Sequence, residues 1–315
     1  MTLRTPTIGP VLPNRDDVER ARATIGTRLA RTPLLSSRTI GARLKCELFQ
    51  RTGSFKVRGA LNKLSSLDAD EKSRGVIAIS AGNHAQAVSF AAAEEGVDAL
   101  VVMWQGASEQ KIEATRGYGA TVDLEATGPG EAFDRLHDLI EQTGRTLVHP
   151  FDDPIVIAGA GTVGLELLED APDADAVIVP VGGGGLISGI QTAIGNRVRV
   201  IAVEPETSTA LHTAIEHGEP TPVTPTSIAD GLSAPFAGRL PLEICRDLER
   251  VLVSEAEIEH AFRVLYERAK LACEPAGAVA TAAWLAGRVE AERPLLVVSG
   301  GNVATATAAA ILARP

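Results

Sequence analysis

Aromatic side chains are scarce: two tryptophans, two tyrosines and seven phenylalanines make up 3% of the 315 residues. The core must therefore be filled by Ala, Val, Leu and Ile, and alanine-rich helices against valine-rich strands suit an α/β layered fold. Cysteine is scarcer still. Cys46, Cys245 and Cys273 lie far apart with no Cys-x-x-Cys spacing, which argues against a disulfide framework or a thiolate zinc site and leaves buried reduced thiols as the expectation. Positive charge is also short, with 30 Lys and Arg against 40 Asp and Glu for a net charge of −10. No basic patch is there to neutralise phosphates, so nucleic acid and anionic membrane are not expected partners. The most apolar windows are short or broken by glycine, which excludes a membrane span. Residues 1–13 lack a basic segment followed by an apolar one, so no signal peptide is expected and the protein is assigned to the cytoplasm.

What is present is 45% apolar and 22% charged sequence, ordinary for a globular protein of one or two domains. Unbroken apolar runs over 75–80, 99–103, 120–124, 176–181, 198–203 and 294–299 read as strands, with helical stretches over 85–95, 109–118 and 131–143 among them. Continuous rather than alternating apolar runs mark parallel strands covered on both faces. The alternation of strand and helix predicts a doubly wound parallel sheet.

Four short motifs follow apolar runs or stand beside them. Gly182, Gly183, Gly184 and Gly185 lie between a strand and the helical stretch that starts at Leu186. A helix N-terminus offers free N–H groups and the positive end of its dipole, and residues without side chains let the backbone close around phosphate oxygens. A flexible linker is the bland alternative, but linkers rarely stand between strand and helix. No Lys-Ser or Lys-Thr follows the glycines, so this is not a nucleoside-triphosphate loop. A second glycine motif, from Gly159 to Gly164, satisfies G-x-G-x-x-G. Its context fails, because Asp152-Asp153-Pro154 before it is a helix-start signal and no acid ends the following strand. It is expected to be a glycine-containing helix packed closely on the sheet.

Lys56, inside Gly53-Ser54-Phe55-Lys56, would ordinarily be a solvated surface residue. Beside a phosphate nest it is better explained as an amine that condenses with an aldehyde cofactor and later acts as general base. The turn Ser80-Ala81-Gly82-Asn83-His84 opens another helix, whose N–H groups suit a carboxylate. His84 reads as a polar first-turn residue rather than a base. The fourth motif is the Ser299-Gly300-Gly301-Asn302 turn.

Together these residues carry a resemblance. KCELFQRTGSFKVRGALN (45–62), SAGNHAQA (80–87), EATRGYGA (113–120), GGGGLISG (182–189), EPAGA (274–278) and SGGN (299–302) resemble the serine/threonine dehydratase and serine racemase family, pyridoxal-phosphate enzymes of fold type II. The resemblance implies two doubly wound domains with mainly parallel sheets, similar to the tryptophan synthase β subunit. Residues 1–74 and 150–315 would form the large cofactor-binding domain, and residues 75–149 a small mobile one that closes over the substrate. It implies pyridoxal 5′-phosphate held covalently by Lys56, with Phe55 beside its ring, Asn83 on its 3′-oxygen and Ser299 facing the pyridine nitrogen. Gly182, Gly183, Gly184, Gly185 and the Leu186 N–H would hold the phosphate. Ser80, Ala81, Gly82, Asn83 and His84 would hold the carboxylate of a small amino-acid substrate.

The activity implied is β-elimination of L-threonine or L-serine to a 2-oxo acid and ammonia, by a cytoplasmic homodimer similar to the short catabolic dehydratases. Dehydration of 3-hydroxyaspartate and amino-acid racemisation are the alternatives on this scaffold. A nicotinamide oxidoreductase built on Gly159 to Gly164, or a ligand-binding relative without catalysis, stands further off. Three positions depart from the family, one of them Trp104, which stands where relatives usually have proline after the strand. Ala81 stands where the racemases carry a serine. Members with a divalent cation site use a glutamate near Glu204 and an acid six residues on; here that position is Ala210, so no metal site is expected and Glu204 alone is left as a candidate.

Overall fold

The computed structural model describes residues 11–314. Its strands are β1 (Leu34–Ser37), β2 (Ala42–Cys46), β3 (Val76–Ile79), β4 (Ala99–Trp104), β5 (Thr121–Ala126), β6 (Thr146–Leu147), β7 (Ala176–Pro180), β8 (Arg199–Pro205), β9 (Glu249–Val253) and β10 (Pro294–Val298). The helices are α1 (Arg15–Ile25), α2 (Lys56–Ser65), α3 (Ala69–Arg74), α4 (Asn83–Glu95), α5 (Glu109–Gly117), α6 (Pro129–Thr143), α7 (Pro154–Asp170), α8 (Gly185–Ile194), α9 (Ala210–His217), α10 (Arg239–Cys245), α11 (Glu255–Glu267), α12 (Pro275–Leu285) and α13 (Thr305–Leu312).

Two sheets result. The larger has the order β1-β2-β10-β7-β8-β9, parallel throughout except for β1, which pairs antiparallel at one edge. The smaller, β5-β4-β3-β6, is all parallel. Every residue of β3, β7 and β10 is buried. This is the state the unbroken apolar runs require, since helices cover both faces and no face is left for polar residues. Alanine does most of the packing: α12, which carries no charged side chain, buries residues 275–283 against the large sheet, where Phe262 is the one aromatic ring among the fully buried members of the cluster. The three thiols are buried and unpaired, and burial pushes those of Cys46 and Cys245 up to about 12, which leaves them inert. Among the described residues no helix is long and apolar enough to cross a membrane.

Local signals set the helix starts. Asp153 caps α7 by accepting the N–H groups of Ile155 and Val156, with Pro154 in the first turn. That capping places Gly159 to Gly164 inside a helix, as its sequence context requires. That helix was expected to pack closely on the sheet; the close approaches its glycines allow are to other helices. The sheet side of α7 carries Val163 and Leu167, packed with Val177 and Val179. Its glycines meet other helices instead: a Cβ on Gly159 would lie 2.5 Å from the Arg58 carbonyl oxygen of α2, and one on Gly161 would lie 2.8 Å from that of Gly189 in α8. Helix α4 begins at Asn83 rather than near residue 85, because Gly82 takes the cap position.

Candidate active site

Strands β2, β10 and β7 run parallel side by side, so the loops after them leave the same edge of the sheet. The chain goes outward from β7 to β8 and β9, then returns to place β10 on the other side of β7. Such a reversal opens a crevice beyond the strand ends, where α/β folds bind ligands. All four sequence motifs meet here. The Phe55 N–H donates to the Ser299 carbonyl oxygen at 3.2 Å and the Gly301 N–H to that of Gly53 at 2.9 Å. Asn302 reaches Asn83 at 2.8 Å.

Lys56 opens α2 after a turn in which Thr52 (φ 62°) and Gly53 (φ 74°) are both left-handed. Thr52 holds that conformation at a cost, a feature of sites over-determined by their surroundings. The Lys56 Nζ donates to the Pro150 carbonyl oxygen at 2.8 Å and lies 5.2 Å from the centroid of the Phe55 ring. Removal from water lowers its pKa to about 8, against the attraction of Glu274. A larger share of free amine is what a nucleophilic lysine needs.

The helix behind it is anchored through Arg58. Its guanidinium bonds Glu47 at 2.8 Å and Glu166 at 2.7 Å, and Lys45 completes the buried cluster on Glu166 at 2.6 Å. Two cations against two carboxylates leave no buried charge uncompensated, which is the condition for burying ions at all.

In the glycine loop, Gly184 is left-handed at φ 95°. The N–H groups of Gly182, Gly183, Gly184, Gly185 and Leu186 have no backbone acceptor among the described residues. Phe151 lies against the loop, so that a Cβ on Gly183 would enter its ring and one on Gly185 would come within 2.9 Å of its Cα. At the second turn, the Ser80 hydroxyl accepts the Gly82 N–H at 3.1 Å, and the space a Gly82 side chain would fill is open. Ala81 is half-buried beside it. Ser299 follows directly on β10, between the Lys56 turn and the glycine loop, with its side chain buried.

His84 is a first-turn residue of α4, as its position in the turn suggests. Its imidazole is buried, with Nε2 bonded to the Val148 carbonyl oxygen at 2.8 Å. A carbonyl only accepts, so Nε2 carries the hydrogen; burial and the nearby Lys56 lower the pKa to about 3 and keep the ring neutral. What His84 has left for a ligand is its backbone N–H and the unpartnered Nδ1, which can only accept. Sequence reasoning gave no role to Pro150, Glu274 or Asn302, although the last two lie in the motifs at 274–278 and 299–302. Glu274 had a signal, as the one charged residue in the run LACEPAGAVATAA (271–283).

Glu204 is spent elsewhere. Its two carboxyl oxygens accept the N–H groups of Leu211 and His212, each at 2.8 Å, at the start of α9. Burial raises its pKa to about 8 against these two donors. Among the described residues no three His, Cys, Asp or Glu side chains are grouped to hold a metal. Hard cations want several charged oxygens. Magnesium or calcium titrated calorimetrically is therefore expected to give no stoichiometric heat, and chelation to leave activity unchanged.

Comparison with known proteins bears on this arrangement. The catabolic L-threonine dehydratase of Escherichia coli (strain K12) is 43% identical over 304 residues, 91% of this chain and 92% of that one. Maize serine racemase superposes with a TM-score of 0.88 at 36% identity, over 94% of this chain and 96% of the other. The processed form of threonine deaminase isoform 2 from Solanum lycopersicum superposes at 0.87 with 31% identity, over 96% of this chain and 90% of the other. The model of the family described as pyridoxal-phosphate dependent enzyme matches residues 25–310, which takes in the lysine turn, the glycine loop and the Ser299 turn alike. With those three elements brought to one crevice, the chain belongs to the pyridoxal-phosphate dependent enzymes of fold type II.

Proposed function

We propose that the protein is an ammonia-lyase that converts L-threonine, L-serine or both to a 2-oxo acid and ammonia by β-elimination. The observation that carries this reading is the Lys56 amine, held at 2.8 Å by the Pro150 carbonyl beside the glycine loop, in a chain 43% identical to a threonine dehydratase. The residues fit pyridoxal 5′-phosphate on steric grounds. The loop leaves no room for side chains at Gly183 or Gly185, so only backbone N–H groups are offered to an anion. When bound, the cofactor supplies an electron sink for the charge that develops at the substrate α-carbon.

The residues divide the remaining work. Lys56 would carry the cofactor covalently, with Phe55 beside its ring, Asn83 toward the phenolic oxygen, Ser299 toward the pyridine nitrogen and the N–H groups of Gly182 to Leu186 on the phosphate. Ser80, Ala81, Gly82, Asn83 and His84 would receive the substrate carboxylate at the N-terminus of α4. As a free amine, Lys56 would take the α-proton of the bound substrate. An N–H of the freed amine given to Pro150 leaves its lone pair directed elsewhere, available to the substrate.

Residues 75–149, which supply all of the smaller sheet, would close on the larger unit formed by 1–74 and 150–315; the Lys111–Asp230 ion pair already links α5 to the turn at 230–232. The reading extends to a homodimer working in the cytoplasm. It is tested by incubating the protein with L-threonine, L-serine and 3-hydroxyaspartate and measuring 2-oxo acid. Turnover of either of the first two above the third is expected; none from any, or preference for 3-hydroxyaspartate, overturns it.

A further inference from the structure

One hydrogen-bond chain joins the lysine turn, the Asn83 turn, the head of α12 and the Ser299 turn. Asn302 Nδ2 donates to the Thr52 carbonyl oxygen at 2.7 Å and to Asn83 Oδ1 at 2.8 Å. Asn83 Nδ2 in turn donates to Glu274 Oε1 at 2.7 Å. The two ends fix the sense of the chain. A backbone carbonyl only accepts, so the Asn302 atom that faces Thr52 must be nitrogen. That nitrogen demands an oxygen from Asn83, which turns the Asn83 nitrogen to Glu274. Neither amide can flip without setting two like groups against each other.

Two glycines make room for this chain. A Cβ on Gly53 would collide with Asn302 Oδ1, and one on Gly300 with Glu274 Oε1. Glu274 itself is 3% exposed and is tied back by its N–H to the Gly300 carbonyl oxygen at 3.1 Å. An asparagine amide has two hydrogens. Glu274 takes one, and the other has no acceptor among the described residues.

We propose that Glu274 is a positioning residue: through Asn83 it turns one amide hydrogen toward the ligand that Lys56 holds, and its charge sets how strongly that hydrogen is given. The inference rests on the pyridoxal-phosphate reading above, because the receiving atom is the cofactor's phenolic oxygen. The charged groups around Glu274 are Asp230 from the turn at 230–232, Lys111 from α5 and Lys56 from α2, with the Cys273 thiol beside it. Burial first and Asp230 second raise its pKa to about 7, while Asn83, Lys111 and Lys56 oppose them. Below that pH the protonated carboxyl accepts from Asn83 weakly. Above it the carboxylate accepts strongly and polarises the amide.

The test titrates pyridoxal 5′-phosphate into cofactor-free wild type, Glu274→Gln and Glu274→Ala, each checked for folding by circular dichroism, and follows the near-visible band with pH. Wild type is expected to show a spectral transition with a midpoint near 7. Glu274→Gln keeps an acceptor oxygen for Asn83, so it should bind with wild-type affinity but lose the transition. Glu274→Ala frees the Asn83 amide and should raise the cofactor dissociation constant about tenfold, the worth of one oriented hydrogen bond. Should that variant not fold, Asn302→Asp, which cannot donate to Asn83, is expected to weaken binding equally. A wild type that takes up no cofactor would sink the pyridoxal reading itself. Normal uptake with a transition that persists in Glu274→Gln, or wild-type affinity once Asn83 is released, would overturn the role of Glu274 alone.

Discussion

Lys56→Ala is expected to abolish turnover, with a loss of at least about 10²–10⁴ from removal of the general base and more from removal of the covalent route. The substitution should not unfold the protein. Lys56 is the first residue of α2, and the helix is held further in by Val57, Leu61 and Leu64 in the core and by the Arg58 ion cluster. Its signature is also visible without substrate. The Lys56 pKa falls from 10.5 to about 8 in the folded chain, so between those values the unfolded chain binds the extra proton. Stability of the cofactor-free protein should therefore rise with pH from about 8 toward 10.5, where the penalty on the charged amine is lifted. Lys56→Ala should lack that rise while keeping its far-ultraviolet spectrum. Turnover within tenfold of wild type would end the assignment.

Racemisation is expected to be at least about 10²-fold slower than elimination, which makes it the second large effect. Inverting an α-carbon needs a proton donor on the face opposite Lys56. Ala81 stands where the racemases that this chain resembles carry a serine, and a methyl group can neither give nor take a proton. No neighbour in the turn replaces it well. The His84 imidazole gives its one hydrogen to Val148, and its other nitrogen is buried without a partner. A water without a fixed position forfeits most of the advantage of a held acid. Elimination uses the Lys56 face alone and should be untouched. Chiral chromatography after incubation with L-serine decides the matter: D-serine appearing as fast as pyruvate contradicts this account, and Ala81→Ser should raise D-serine formation.

The parallel strands were legible because burial on both faces leaves an unbroken apolar run, and β3, β7 and β10 show that pattern residue by residue. Helix α7 was legible from its cap, Asp153-Pro154, which outweighs the glycine spacing inside it. The edge strand β1 was not, since it has only two apolar residues, Leu34 and Leu35, before two serines, too short a run to mark a strand. In the site, the glycine loop and Lys56 could be read from local sequence because each depends on what stands next to it. Pro150, Glu274 and Asn302 act on partners 94, 191 and 219 residues away, and a backbone carbonyl leaves no mark on residue type at all. His84 was read as a polar first-turn residue, which it is, but nothing in its neighbours announces that its ring is buried against Val148.

The glycines of α7 make that helix a spacer gauge. Gly159 lets the backbone of α2 lie directly on it, and Gly161 does the same for α8. Lys56 sits at the head of one of those helices and the glycine loop at the head of the other, so their separation is set by two touching backbones rather than by side chains that can change rotamer. A methyl group at either position would widen the gap between Lys56 and the glycine loop. A defect in the chemistry would then trace to a residue that never meets the substrate.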